Sequence, residues 1–147
     1  MHHFKSDDMP NFIIKTHRKD TTYKGNQIFI LNKGFNSGKP KKEPFTNSFV
    51  IIFPSDEEAE TVYWLAYSLW KAKFWHQSLY GSVIPFLRIT DFKKEFNLRV
   101  NQMLEEHEQH KKNVQALKIL ELKEEQFHEN IKVINDLRRV ILHHYCK

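Results

Sequence analysis

Three short apolar runs open the chain, each closed by a turn residue, and a long stripe of apolar residues at three- and four-residue spacing closes it. Residues 11–16, 27–32 and 47–53 are rich in Ile and Phe, the third ending at Pro54, and they predict β-strands because such side chains pack well on a pleated surface. Between the second and third runs, Lys33-Gly34-Phe35-Asn36-Ser37-Gly38-Lys39-Pro40-Lys41-Lys42-Glu43-Pro44 carries two glycines and two prolines. That composition forbids a continuous element and predicts a long, basic, exposed loop. Ser55 is followed by Asp56, Glu57 and Glu58, a capping hydroxyl with carboxylates at the positive end of a helix dipole. Val62, Tyr63, Leu65, Ala66, Leu69, Trp70 and Phe74 then form one broad apolar face, which predicts a helix covering the sheet. A shorter helical or irregular piece over 74–80 ends at Gly81, residues 82–89 are extended, and Thr90 caps a new helix at Asp91.

From there the stripe runs Phe92, Phe96, Val100, Met103, His107, His110, Val114, Leu117 and Leu120, and resumes at Phe127, Ile131, Ile134, Leu137, Ile141 and Tyr145. All four glycines and five prolines fall within residues 1–85, so the pattern divides the chain into a turn-rich part, 1–90, and a helical part, 91–147. The fold class expected is α+β: a small mixed sheet with a covering helix, followed by a long C-terminal helix of coiled-coil character. A straight helix of about 50 residues measures about 75 Å and cannot bury its stripe on so small a first part. It must fold into a hairpin near residues 107–113 or pair with a second chain, which makes a homodimer the expected state; the absence of a turn signal at 107–113 favours the continuous helix.

With 147 residues, 40% of them hydrophobic and 14% aromatic, the chain can build a core, and disordered or low-complexity classes are excluded. No apolar run approaches the roughly 20 residues of a membrane span. The first ten residues lack the apolar segment of a secretory signal, and the single Cys146 has no partner for an internal disulfide, so a cytoplasmic location is expected. The net charge of +5 is concentrated in residues 1–54, where nine Lys and Arg face four Asp and Glu. Arg18, Lys19 and Lys24 lie between the first two strands, and Lys33, Lys39, Lys41 and Lys42 on the long loop. Two basic loops beside neighbouring strands can form one positive face suited to a phosphate backbone, or serve only to keep the surface solvated. The alternating charges of the last helix suit a coiled-coil flank.

No catalytic or metal constellation passes its spacing test. Glu106-His107-Glu108-Gln109-His110 places its histidines three apart, with Lys111 where a zinc-protease helix needs its second ligand. His143, His144 and Cys146 gather at the chain end, and His2 and His3 at its start, where unordered tails are the ordinary reading. The glycines of Gly34-Phe35-Asn36-Ser37-Gly38-Lys39-Pro40 are too close for a phosphate loop, and a proline follows the lysine. No serine or Cys146 sits in a nucleophile motif, so neither an enzyme nor a cofactor is expected. Trp64, Trp70 and Trp75 with Tyr63, Tyr67 and Tyr80 could form a stacking platform, but helical spacing assigns them to the core.

The order of an aromatic helix, then Leu79-Tyr80-Gly81-Ser82-Val83-Ile84-Pro85-Phe86-Leu87-Arg88-Ile89-Thr90-Asp91-Phe92, then a long helix resembles the end of a target-recognition domain in type I restriction-modification specificity subunits. The patterns at 22–26, Thr-Tyr-Lys-Gly-Asn, and at 32–40 also resemble those of a small bacterial family of unknown role. The first resemblance implies a domain that reads double-stranded DNA through basic loops and a spacer helix that docks a methyltransferase subunit. One recognition domain and one helix per chain then imply a two-fold homodimer. In that picture Arg18, Lys19, Lys24, Lys33, Lys39, Lys41 and Lys42 contact phosphates, and Tyr23, Asn26, Asn36 and Ser37 reach base edges. The sequence therefore leads to a non-catalytic DNA-binding module that dimerises through its last helix. The alternative is an interaction or assembly protein of a mobile element, with no nucleic-acid role.

Overall fold

The structure is a computed structural model that describes residues 11–147. In chain order it contains β1 (Ile13–Thr16), β2 (Asn26–Leu31), β3 (Pro40–Lys41), β4 (Ser48–Phe53), α1 (Asp56–Lys71), a 3₁₀ turn (Phe74–Ser78), β5 (Leu79–Tyr80), β6 (Phe86–Leu87), α2 (Ile89–Glu105) and α3 (His107–His144). The α+β class holds, and within it the four-stranded sheet, ordered β1-β4-β2-β3, is antiparallel at every pairing where the sequence suggests a mixed one. β5 and β6 form a separate two-stranded ribbon.

Strand periodicity sorts the side chains. Ile14 and Ile28 flank Ile51 across the register, Ile30 faces Phe49, and these with Phe53 make one apolar face. The intervening Phe29 pairs Val50 and Lys41 on the other face. α1 starts as the sequence dictates: Ser55 is extended and its hydroxyl accepts from the Glu58 amide. Its buried Val62 and Ala66 join the apolar face of the sheet.

α2 completes this core, contrary to a domain boundary at residues 90 and 91. Phe92, Phe96, Val100 and Met103 are buried together with the sheet residues, and the Phe92 ring stacks on Phe96 at 5.0 Å and lies 5.2 Å from Phe49. Each such side chain removed from water contributes about 1.5–3 kcal/mol. The two compact units of the chain accordingly divide between His107 and Glu108. The helix also begins one residue before the expected cap: Ile89 is its first residue and Arg88, with no side-chain bond, its N-cap, so Thr90 lies inside the first turn.

The continuous helix that the missing turn signal favours is not formed: the helix breaks at Glu106, at φ −113° and ψ 40°, where its amide turns back to the Met103 carbonyl, just ahead of residues 107–113. α3 is then uninterrupted for 38 residues, about 57 Å, and buries none of them.

Candidate functional site

β1 and β2 both pair antiparallel with β4, so the chain between them must travel from one end of the sheet to the other. It does so across the face that carries Phe29: the His17 ring meets Phe29 edge-on at 5.0 Å, and the Gln27 amide donates to the Tyr23 carbonyl. Arg18 and Lys19 therefore stand near the Ser48 end, where β1 finishes, whereas Lys24 and Asn26 stand at the Phe53 end. Tyr23 is half-buried, and its hydroxyl is 3.1 Å from His17 Nδ1. The crossover thus separates residues that the sequence groups at one set of loop ends.

The segment from Asn32 to Lys39 is a folded turn rather than an open loop. The Gly38 amide donates to the Leu31 carbonyl at 2.7 Å, and the Leu31 amide donates to Lys39 at 3.0 Å. Gly34 donates to Pro85 and Leu87 to Asn32, which fastens the turn to the ribbon. Ser37 is only 2% exposed and its hydroxyl donates to the Gly34 carbonyl at 2.6 Å, so it serves the turn and is out of reach of a base edge. Lys33 and Asn36 remain exposed on it. The next two residues form β3, an edge strand that the prolines at 40 and 44 conceal in the sequence.

The three lysines part at β3: Lys41 lies in the strand, while Lys39 just before it and Lys42 just after it stand outside the pairing. Lys41 pairs Phe29 and places its ammonium 5.1 Å from the Phe45 ring, on the face away from α1. Lys39 and Lys42 reach the helix instead: Lys39 Nζ lies 5.0 Å from the centre of Trp70, and Lys42 Nζ 5.1 Å from Tyr63. Lys71 of α1 is 5.0 Å from the same Trp70 and 5.8 Å from Tyr67. All these separations are within cation–π range.

The aromatic residues divide in the same way. Trp75 is a core residue, 5.0 Å from Phe92. Trp64, Tyr67 and Trp70, one helical step of three apart, are half-buried and form an edge-to-face ladder with centroid spacings of 5.2 and 5.9 Å. Tyr63 extends it, 5.8 Å from Trp64. Tyr80 stands apart on the ribbon with the Arg88 guanidinium 3.9 Å over its ring. The result is a face of α1 and the β3 edge that combines a run of rings with the ammonium groups of Lys39, Lys42 and Lys71. Among the described residues, none of these three lysines is ion-paired. Sequence reading singles out the rings but assigns them to the core, and it passes over Lys71, whose signal is its position four after Tyr67 and one after Trp70.

Among the described residues no three His, Cys, Asp or Glu side chains gather as metal ligands. His2 and His3 lie outside the described residues. No helix among the described residues is long and apolar enough to cross a membrane.

The second surface is α3 itself. Ile119, Leu120, Leu122, Phe127, Ile131, Val133, Ile134, Leu137, Val140, Ile141, Leu142 and Tyr145 are all exposed. Within this face Leu120, Phe127, Ile134 and Ile141 recur every seventh residue, and so do Leu117, Glu124, Ile131, Arg138 and Tyr145. Those two series are the two seam positions of a heptad repeat.

No curated protein and no solved structure matches the chain. The pattern that defines the family of unknown function DUF6943 does match it, over residues 14–144, through the sheet, the aromatic helix and α3 alike, and the chain belongs to that family.

Proposed function

We propose that this chain is a non-catalytic cytoplasmic module that self-associates as a homodimer through α3. The observation that carries the reading is the seam of Leu120, Phe127, Ile134 and Ile141, between 53% and 65% exposed, on a helix with no buried residue. Exposed apolar area of that extent mark an interaction surface, and a seven-residue repeat selects another helix as its complement.

The charges within the seam set the orientation. Glu124 lies seven residues before Ile131 and Arg138 seven after it. Parallel in-register pairing would bring Glu124 against Glu124 and Arg138 against Arg138, leaving like charges facing across an apolar seam. Antiparallel pairing centred between Ile131 and Ile134 instead sets each Glu124 within a turn of the partner copy's Arg138. It also separates the two Cys146 residues by about 40 Å. Sedimentation equilibrium tests the association: the expected result is a dimer for the parent chain and a monomer for Ile134→Asp. Mild oxidation tests the orientation, because parallel helices would yield a disulfide-linked dimer through Cys146 and antiparallel ones none. A monomeric parent chain at micromolar concentration would sink the reading.

A second reading, nucleic-acid binding by the sheet unit, is favoured by Lys39, Lys42 and Lys71 clustering on one face without a carboxylate partner among the described residues. An electrophoretic mobility assay with Lys39→Glu/Lys42→Glu tests it; unchanged retardation would remove these lysines from any role.

A further inference from the structure

We propose that the face made by Trp64, Tyr67 and Trp70 with Lys39, Lys42 and Lys71 binds single-stranded nucleic acid rather than duplex DNA. The inference rests on the nucleic-acid reading above and narrows it. A duplex presents phosphates and buries the planes of its bases, so a protein that tracks its backbone gains little from half-buried rings beside its cations. A single strand offers both chemistries at once, because each unpaired base has a free aromatic plane and each linkage a charge.

The geometry on α1 matches that pair of demands. The three rings follow one side of the helix, with successive centroids 5.2 and 5.9 Å apart, a span that two or three unstacked bases cover. Lys39, just ahead of β3, and Lys71 from the helix both approach Trp70, each 5.0 Å from its centre, which holds the two ammonium groups no more than about 10 Å from one another. Lys42 places a third ammonium at Tyr63. The acidic first turn of α1, Asp56, Glu57 and Glu58, lies beyond the Tyr63 end, and Glu60 borders the face, so the positive charge is greatest around Trp70. A strand would enter at Trp70 with phosphates between Lys39 and Lys71, and lay its bases along Tyr67 and Trp64.

The test is a fluorescence titration of the full chain with a 20-nucleotide oligo(dT), its duplex with oligo(dA), and polyglutamate, at several salt concentrations. The expected result is quenching of tryptophan emission and tighter binding of the single strand than of either competitor. Trp70→Leu, which keeps apolar volume and removes the ring, is expected to weaken that binding roughly tenfold. Lys71→Gln, at an exposed position, is expected to lower the slope of log affinity against log salt by about 0.7. Equal affinity for duplex, untouched by Trp70→Leu, overturns the single-strand assignment and leaves the nucleic-acid reading standing. Polyglutamate binding as tightly as oligo(dT) overturns it in favour of a generic anion surface. Failure of both nucleic acids to bind at low salt overturns both readings together.

Discussion

The backbone of Gly38 lies directly against the indole of Trp75: a β-carbon at residue 38 would overlap Cδ1 and sit 2.7 Å from Nε1. Gly38 also has φ of +96°, a conformation that costs an L side chain free energy before any contact is counted. The turn that presents Lys39 to α1 is therefore fixed by the largest buried side chain of the core, 37 residues downstream. Gly38→Ala is expected to destabilise the sheet unit by about 2–5 kcal/mol, from overpacking and backbone strain together. Urea unfolding followed by tryptophan emission measures this; a midpoint within error of the parent would show that the indole can move aside.

The division at His107 makes a prediction about truncation. A chain ending at residue 107 keeps Phe92, Phe96, Val100 and Met103 and is expected to unfold cooperatively, as an independent unit does. A chain ending at residue 90 loses all four and leaves Phe49 and Trp75 without the ring they pack on. It is expected to be unfolded or aggregated. Circular dichroism and denaturant titration of both fragments decide the matter.

The sequence is legible where local chemistry decides the outcome. The three main strands, the Ser55 cap and the breakerless helical C-terminal part follow from side-chain shape, a hydroxyl and the distribution of glycine and proline. It is less legible where a distant partner decides. Nothing local distinguishes Phe92 and Phe96, which are buried, from Phe127 and Ile131, which are exposed, because the same three-and-four stripe runs through both. The aromatic residues of α1 show the converse. Helical spacing sends Trp64, Tyr67 and Trp70 to the core, but the sheet has room for only one stripe of the helix, and Val62 and Ala66 occupy it. The lysine run 39, 41 and 42 reads as one patch until β3 pairing with β2 places Lys41 on the opposite face.

Antiparallel pairing of α3 predicts an asymmetric response to charge exchange. Glu124→Arg alone replaces an attractive contact with a repulsive one at both ends of the seam, and the dimer is expected to weaken. Glu124→Arg combined with Arg138→Glu restores opposite charges and is expected to recover the parent affinity. In a parallel dimer both variants would still face like with like, so neither would change affinity much. Sedimentation of the three proteins at equal concentration separates the cases; indifference to the single substitution would exclude the antiparallel arrangement.

Glu121 gives α3 a pH dependence of definite sign. Partial desolvation on the helix, and then the neighbouring charges of Glu124 and Glu125, raise its carboxyl above the ordinary carboxylate value. The helix thus binds this proton more tightly than the unfolded chain does. Its contribution to helix stability is fully present below the unfolded-state value and is lost as pH rises through the raised one. Thermal unfolding of α3, followed by ellipticity, is expected to shift to lower temperature as the solution passes from acid to neutral. Glu121→Gln removes the charge that must be desolvated and repelled, so the variant is expected to be more stable than the parent at neutral pH and to match it in acid. If the two proteins differ by the same amount at both pH values, the side chain acts through packing, and its ionisation has no part in the stability of the helix.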